Sequence, residues 1–205
     1  MIYPIFRAIV RLFFPLFCKL TAEGRENIPQ KGGYIICGNH VTMMDFMFVG
    51  ITVRHRLIFW AKAELFRNPF MWILLRLVDA ISVDRGKGDM SIIDKSVEKL
   101  KRGDVFNIFP EGTRTKNGSM GRFKSGSVLI AYQTKADILP VGITVTKVKW
   151  RFRRRVYLKY GPLLKSSELF PGGTDAEKVT PGLLKAANAV LFDSVARLLP
   201  PREEQ

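Results

Sequence analysis

The chain has 205 residues, 47% of them hydrophobic and 11% aromatic, which is enough for a sizeable core and too apolar for a disordered chain. Two cysteines, Cys18 and Cys37, are too few for a disulfide framework, so we expect a reduced, cytosolic environment. The formal net charge of +15 predicts an anionic partner, namely a nucleic acid, a phospholipid surface or a phosphorylated small molecule.

Residues 1–20 form a strongly apolar and basic segment with no acidic residue. Apolar side chains recur at helical spacing, and Pro15 is expected to break or kink the helix. We interpret the segment as an amphipathic anchor at the membrane interface, with a core helix as the alternative. The longest run without Lys, Arg, Asp or Glu is residues 34–44, too short for a membrane-spanning helix. The rings expected to enter the lipid are Phe6, Phe13, Phe14 and Phe17, and the cations expected at the headgroups are Arg7, Arg11 and Lys19.

The rest of the chain alternates short β-branched runs with amphipathic stretches. A buried strand is predicted to end at Gly38, with further strands at 57–61, 80–83, 105–109, 139–145 and 156–160. Helices are predicted at 45–53, 69–77, 90–101, 124–134 and 182–199. This alternation predicts a single α/β domain over residues 21–205, with a mostly parallel central sheet flanked by helices. Ligands of such sheets bind beyond the carboxyl ends of the strands.

The chain has two histidines, and one of them directly follows a predicted strand. His40 lies in NHVTMMD, five positions before Asp45, so the two side chains can meet only if a turn separates them. Thr42 is a possible N-cap for the helix that follows. A carboxylate on one imidazole nitrogen fixes the tautomer and leaves the other nitrogen free to accept a proton. We interpret His55, between two arginines, as a solvated loop residue.

Other classes of site are not predicted. No G-x-S-x-G motif is present, and both cysteines lie in apolar contexts, so a base would have to activate a hydroxyl of the substrate. Two histidines, two distant cysteines and no H-E-x-x-H motif argue against a metal site, and the glycine-rich strings lack the residues of phosphate-loop and dinucleotide motifs. We therefore expect no metal and no bound cofactor.

A second informative string, FPEGTR, follows the predicted strand at 105–109. Its Gly112 allows close approach of a ligand, and Thr113 and Arg114 offer a hydroxyl and a guanidinium at the strand end. Further cations follow other strands or loops, and together they indicate a phosphate pocket. These are Lys62, Arg85 and Lys124.

The two strings resemble the H-x4-D and E-G-T-R motifs of the PlsC-type glycerolipid acyltransferases, the 1-acyl-glycerol-3-phosphate acyltransferases. The segments AKAELF, ISVDR and LPVGI resemble further blocks of the family, and the similarity spans about residues 20–201. The first motif departs from the family's commoner wording, with Val41 and Thr42 in place of Arg-Ser and Phe46 in place of Pro. The resemblance implies a general base, His40, oriented by Asp45. It also implies acceptor-phosphate ligands, Lys62, Arg85 and Arg114, and acceptor-site residues Glu111, Gly112 and Thr113.

That resemblance implies transfer of an acyl chain from acyl-CoA or acyl-carrier protein to the free hydroxyl of 1-acyl-glycerol 3-phosphate, giving phosphatidate. Glycerol 3-phosphate or another lysophospholipid is the alternative acceptor. The expected location is peripheral, on an anionic membrane surface at the cytoplasmic face. Chain-length preference and oligomeric state are not predicted.

A different class of function rests on residues 147–159, which hold seven cations and several aromatic rings and no acid. Such a run is typical of nucleic-acid binding, but a nucleic-acid-binding module would leave the other motifs without a role. A non-catalytic lipid-binding protein is a third hypothesis, which the intact His40, Asp45 and Arg114 disfavour. We therefore expect no nucleic-acid partner.

Overall fold

The computed structural model describes residues 2–84, 90–115, 120–147, 154–174 and 179–200. The helices are α1 (Ile2–Phe17), α2 (Asp45–Thr52), α3 (Pro69–Leu77), α4 (Met90–Lys101), α5 (Gly126–Thr134), α6 (Ser166–Leu169) and α7 (Pro181–Ala196). The strands are β1 (Cys18–Glu23), β2 (Ile35–Gly38), β3 (Leu57–Lys62), β4 (Ile81–Val83), β5 (Val105–Ile108), β6 (Ile138–Lys147) and β7 (Arg154–Tyr160). Short 3-10 turns occupy Arg25–Asn27 and Ala63–Arg67.

The strands form one seven-stranded sheet in the order β1-β7-β6-β2-β5-β3-β4. Every neighbouring pair is parallel except β6 and β7, which are antiparallel. The predicted α/β domain with a mostly parallel central sheet flanked by helices is therefore confirmed. Strands β2 and β5 are direct neighbours, so the segments that follow their carboxyl ends emerge side by side at one edge of the sheet.

Both faces of the sheet are covered, which explains the unbroken apolar sequence of β2. Ile35 and Cys37 point into a core beneath α4, α5 and α7, whereas Ile36 points into a second core that includes Phe14 of α1 and Phe48 of α2. A third, smaller cluster joins β3 to α3. Strand β2 is thus held between two packed layers of helices.

Strand β1 was not predicted. The sequence interpretation assigned residues 18–20 to the anchoring segment, but Cys18–Glu23 pairs in parallel with β7 along its whole length, at the edge of the sheet. Its string CKLTAE carries two charged residues and little apolar alternation, so only the pairing with β7 reveals it. The short helix α6 was also not predicted.

Helix α1 is continuous through Pro15, so a break does not occur there and a kink stays a prediction. Pro15 lies in the last turn, so the one backbone hydrogen bond that it cannot donate is near the end of the helix, which stops at Phe17. The ring of Phe14, expected to enter lipid, is buried instead and packs edge-on against Phe48 with centroids 5.3 Å apart. Within the described part of the chain, every helix is too short or too polar to span a bilayer.

Candidate active site

An imidazole and a carboxylate meet at the carboxyl end of β2. His40 lies two residues after the strand and Asp45 begins α2, so the turn at residues 41–44 brings their side chains together. The His40 Nδ1 to Asp45 Oδ2 distance is 2.8 Å. Because an ionised carboxylate only accepts hydrogen bonds, Nδ1 carries the proton and Nε2 is left as a proton acceptor.

The carboxylate of Asp45 is completely buried and held by the turn itself. Its Oδ2 accepts hydrogen bonds from the backbone N–H groups of Val41 and Thr42, at 2.7 and 2.9 Å. Its Oδ1 accepts from the Thr42 hydroxyl at 2.6 Å. Thr42 was predicted as the N-cap of α2, but Met44 occupies that position and the Thr42 hydroxyl serves the carboxylate. These donors fix the charged group in the orientation that the imidazole requires.

The loop after β5 supports the His40 imidazole and its backbone. The phenyl ring of Phe109 stacks on the imidazole, with ring centroids 4.5 Å apart and planes inclined by 8°. The Glu111 carboxylate accepts from the His40 backbone N–H at 2.9 Å, and the Thr115 backbone N–H donates to the His40 carbonyl at 3.1 Å. The two predicted motifs are therefore joined into one structural unit.

Glu111 is buried, and both of its carboxylate oxygens have backbone partners. One oxygen binds His40 as described, and the other accepts from the Gly121 backbone N–H at 2.9 Å. In this arrangement Glu111 connects the backbone of His40 to the loop that precedes α5. The resemblance had placed it in the acceptor site, and any contact with an acceptor remains a prediction.

Two of the predicted phosphate ligands, Lys62 and Arg114, lie at or beyond the carboxyl ends of β3 and β5, which are parallel neighbours. Gly112 has a backbone φ of 68°, in the left-handed region that favours glycine, and the side chain of Lys124 lies directly against it. Thr113 and Arg114 are exposed. Lys62, at the end of β3, binds Glu64 with an Nζ to Oε2 distance of 2.6 Å. That hydrogen bond and the ammonium charge lower the pKa of Glu64.

Arg85, the remaining predicted ligand, lies outside the described residues. Among the other predicted residues, Lys124 lies against Gly112. Thr113 and Arg114 lie on the loop that is hydrogen-bonded to the His40 backbone. Their assignment to an acceptor phosphate remains a prediction.

Sequence reasoning missed two supporting residues. The first is Phe109, which was predicted as the last residue of a strand but follows β5 and stacks on the His40 imidazole. The second is Asn39, whose buried side chain exchanges hydrogen bonds with the Ile143 backbone, donating at 2.9 Å and accepting at 2.7 Å. A polar residue between a buried strand and a candidate base is a signal that could have indicated Asn39.

Comparison with known proteins agrees with this arrangement. A sequence model described as Acyltransferase matches residues 19–144, which include both motifs. The chain is 37% identical over 125 residues to the 1-acyl-sn-glycerol-3-phosphate acyltransferase of Borreliella burgdorferi, covering 60% of this chain and 50% of the relative. It is 33% identical over 117 residues to the enzyme of the same name from Bacillus subtilis, covering 57% of this chain and 58% of the relative. The chain thus spans about half the length of these curated relatives.

A solved structure is also similar. The crystal structure of the 1-acyl-sn-glycerophosphate (LPA) acyltransferase, PlsC, from Thermotoga maritima aligns with a TM-score of 0.67 and 30% identity. The alignment covers 92% of this chain and 75% of that one. The chain belongs to the acyltransferase family, and the resemblance to its PlsC-type members that the motifs indicated is confirmed.

Proposed function

We propose that this protein is a 1-acylglycerol-3-phosphate O-acyltransferase that makes phosphatidate. The observation that carries the proposal is the 2.8 Å contact between the half-buried His40 imidazole and the fully buried Asp45 carboxylate, beside the FPEGTR loop. This geometry supplies a base with a fixed tautomer. The names of the relatives support lysophosphatidate as the acceptor.

The reaction needs only a base, an acceptor hydroxyl and an activated acyl group. Nε2 of His40 takes the hydroxyl proton while the hydroxyl oxygen attacks the thioester carbonyl of acyl-CoA or acyl-carrier protein. The tetrahedral intermediate then collapses, the C–S bond breaks, and the thiolate leaves and recovers the proton from the imidazolium. An ester and a free thiol result, and no acyl-enzyme forms. Asp45 stabilises the imidazolium without itself taking up the proton.

We assign the acceptor phosphate to the cations predicted near the carboxyl ends of the strands. Arg114 offers a planar pair of donors suited to a phosphate, and Lys124 and Lys62 offer ammonium groups. Arg85 is assigned to the same phosphate because it lies just after β4 in the sequence. The exposed positions of Arg114 and Lys124 support this assignment, because a ligand can reach them from solvent.

A direct test is mass spectrometry of the products formed from a panel of acceptors and donors. Lysophosphatidate, glycerol 3-phosphate and other lysophospholipids are each incubated with acyl-CoA or acyl-carrier protein. Phosphatidate formed from lysophosphatidate is the expected result. A product from glycerol 3-phosphate or another lysophospholipid alone would redirect the acceptor assignment, and the absence of any acylated product would contradict the proposal.

The membrane location is proposed from α1. Its outward side chains are apolar and highly exposed, for example Leu12 at 72%, Phe17 at 64% and Phe13 at 53%. The helix lacks acidic residues, and it carries Arg7 and Arg11, which suit an anionic surface. We place this peripheral anchor at the cytoplasmic face of the membrane, where soluble acyl donors are available.

The anchor is tested by replacing Phe6, Phe13 and Phe17 with Ser. The protein should leave anionic liposomes while its melting temperature in buffer changes little, because Phe13 and Phe17 are exposed to solvent in the free protein. Phe14→Ala is the matched control: this buried ring should mainly support folding, at a cost of about 3–5 kcal/mol. Unchanged liposome binding by the triple variant would refute the anchor.

A further inference from the structure

Helix α3 exposes large apolar side chains that the core does not use. Phe70, Trp72 and Ile73 are 75%, 44% and 54% exposed, whereas Leu75, one turn later, is buried against β3. The helix is nevertheless well defined at its start, since the Asn68 side chain accepts from the backbone N–H groups of its first turn. Apolar exposure on this scale is a mark of an interaction surface.

The exposed apolar residues of the described chain are concentrated on one side of the sheet. Helix α1 contacts both α2 and α3, so the two helices with the largest exposed apolar side chains are neighbours. The turn between His40 and Asp45 adds Met43 and Met44, which are 56% and 37% exposed. Phe46, just after this turn, packs into the same cluster as α3. The turn of the first motif therefore borders the same apolar surface.

The charges near α3 favour an anionic lipid surface as the occupant. Neither α1 nor α3 contains an acidic residue, Arg67 lies just before α3, and Arg76 lies in its last turn. The acidic residues nearest in sequence are both paired with cations, Glu64 with Lys62 and Asp79 with Arg56 and Lys99. The Arg76 guanidinium lies 5.1 Å from the centre of the Trp72 ring, so a cation and an amphipathic ring occur together, as at membrane interfaces. A second copy of the chain would instead bring like charges together across the interface.

We propose that α3 and the turn at residues 43–44 form a second bilayer-contact surface beside α1, specific for anionic phospholipid. This inference rests on the proposed function, since it gives the acyltransferase site a lipid partner. Contact at two helices fixes the orientation of the domain, which one helix cannot do. The turn that carries His40 and Asp45 then faces the membrane, where a lipid acceptor resides.

Trp72 is a built-in probe of this contact. The full chain carrying Trp60→Phe and Trp150→Phe keeps Trp72 as its single tryptophan, and it is mixed with phosphatidylglycerol vesicles whose acyl chains are brominated. Quenching of Trp72 emission by at least about half is expected, because bromine quenches only rings that reach the acyl region. Vesicle binding through α1 with Trp72 unquenched would overturn the proposal.

A pair of variants with native tryptophans tests the energetics. Phe70→Ser with Ile73→Ser should weaken partition to phosphatidylglycerol vesicles by about tenfold or more, which corresponds to about 1.4 kcal/mol. The melting temperature should not change. The matched control replaces Val190, 49% exposed on α7 across the sheet, with Ser and should bind as the unaltered chain does. Equal binding by the Phe70/Ile73 variant would refute the second surface.

Lipid composition and self-association give two more tests of this surface. Binding to phosphatidylcholine vesicles as strong as to phosphatidylglycerol would refute the anionic preference. Self-association in lipid-free buffer that the Phe70/Ile73 variant abolishes would show that a second copy covers α3, and would overturn the lipid assignment. The vesicle assays contain no acyl donor, so their result does not depend on catalysis. Trp72 quenching in a protein that transfers no acyl group would leave this surface established and overturn the proposed function alone.

Discussion

Replacing Asp45 with Asn tests the proposed mechanism most sharply. The carboxylate accepts from the backbone N–H groups of Val41 and Thr42, from the Thr42 hydroxyl and from the His40 imidazole. An amide has a single acceptor oxygen, so its NH₂ group must face one of these donors. If the NH₂ faces His40, the imidazole adopts the other tautomer, and Nε2 then carries a proton and cannot act as a base.

We expect kcat to fall by about 10³- to 10⁴-fold, the loss typical of an orienting Asp in a catalytic triad, or about 4–5.5 kcal/mol. The acceptor KM should change little, because the Asp45 side chain is fully buried and its hydrogen-bonding groups face the protein. The assay follows thiol release from acyl-CoA, with circular dichroism to verify folding. Asp94→Asn, at an exposed position of α4, is the control and should keep normal turnover. A folded Asp45→Asn protein with turnover within about threefold of normal would refute the reasoning.

Three further outcomes are expected. Arg114→Ala or Lys62→Ala should raise the acceptor KM about tenfold or more and leave the donor KM unchanged; a rise in the donor KM alone would assign these cations to the donor. Burial raises the pKa of Cys37 to about 12, so this thiol should resist iodoacetamide at pH 8, and its rapid labelling in native protein would contradict the packing. Burial also raises the pKa values of Tyr34 and Tyr160 above the usual value of 10.0. As the pH rises, these tyrosines lose their protons in the unfolded chain before they do in the folded one, so the melting temperature should fall above about pH 10. A melting temperature that stays constant up to about pH 11 would contradict this.

Local signals predicted the helices best. Helices α3 and α4 begin and end where the apolar spacing predicted, and α3 starts with the Asn-Pro pair typical of a capped first turn. The contact between His40 and Asp45 also followed from sequence, since a five-residue offset requires a turn and the strand before it was evident. These features depend on residues close together in the chain.

Features that depend on distant partners were not predicted. Strand β1 exists through pairing with β7, more than a hundred residues later, and nothing in its own residues indicates a strand. For Glu111, the motif indicates a place in the acceptor site and gives no sign of a bracing role. Its bonds to the His40 and Gly121 backbones depend on how two loops approach each other, which composition and spacing do not encode.

The bonding of the His40 backbone has a consequence for efforts to change the proposed acceptor preference. Its N–H and carbonyl both pair with the loop after β5, through Glu111 and Thr115. Grafting a foreign loop there to recruit a new acceptor would therefore also move His40, the proposed base, and we expect any gain in selectivity to be accompanied by a loss of rate. Grafts that keep Glu111 and Thr115 and vary the exposed positions between them, Thr113 and Arg114, separate the two properties.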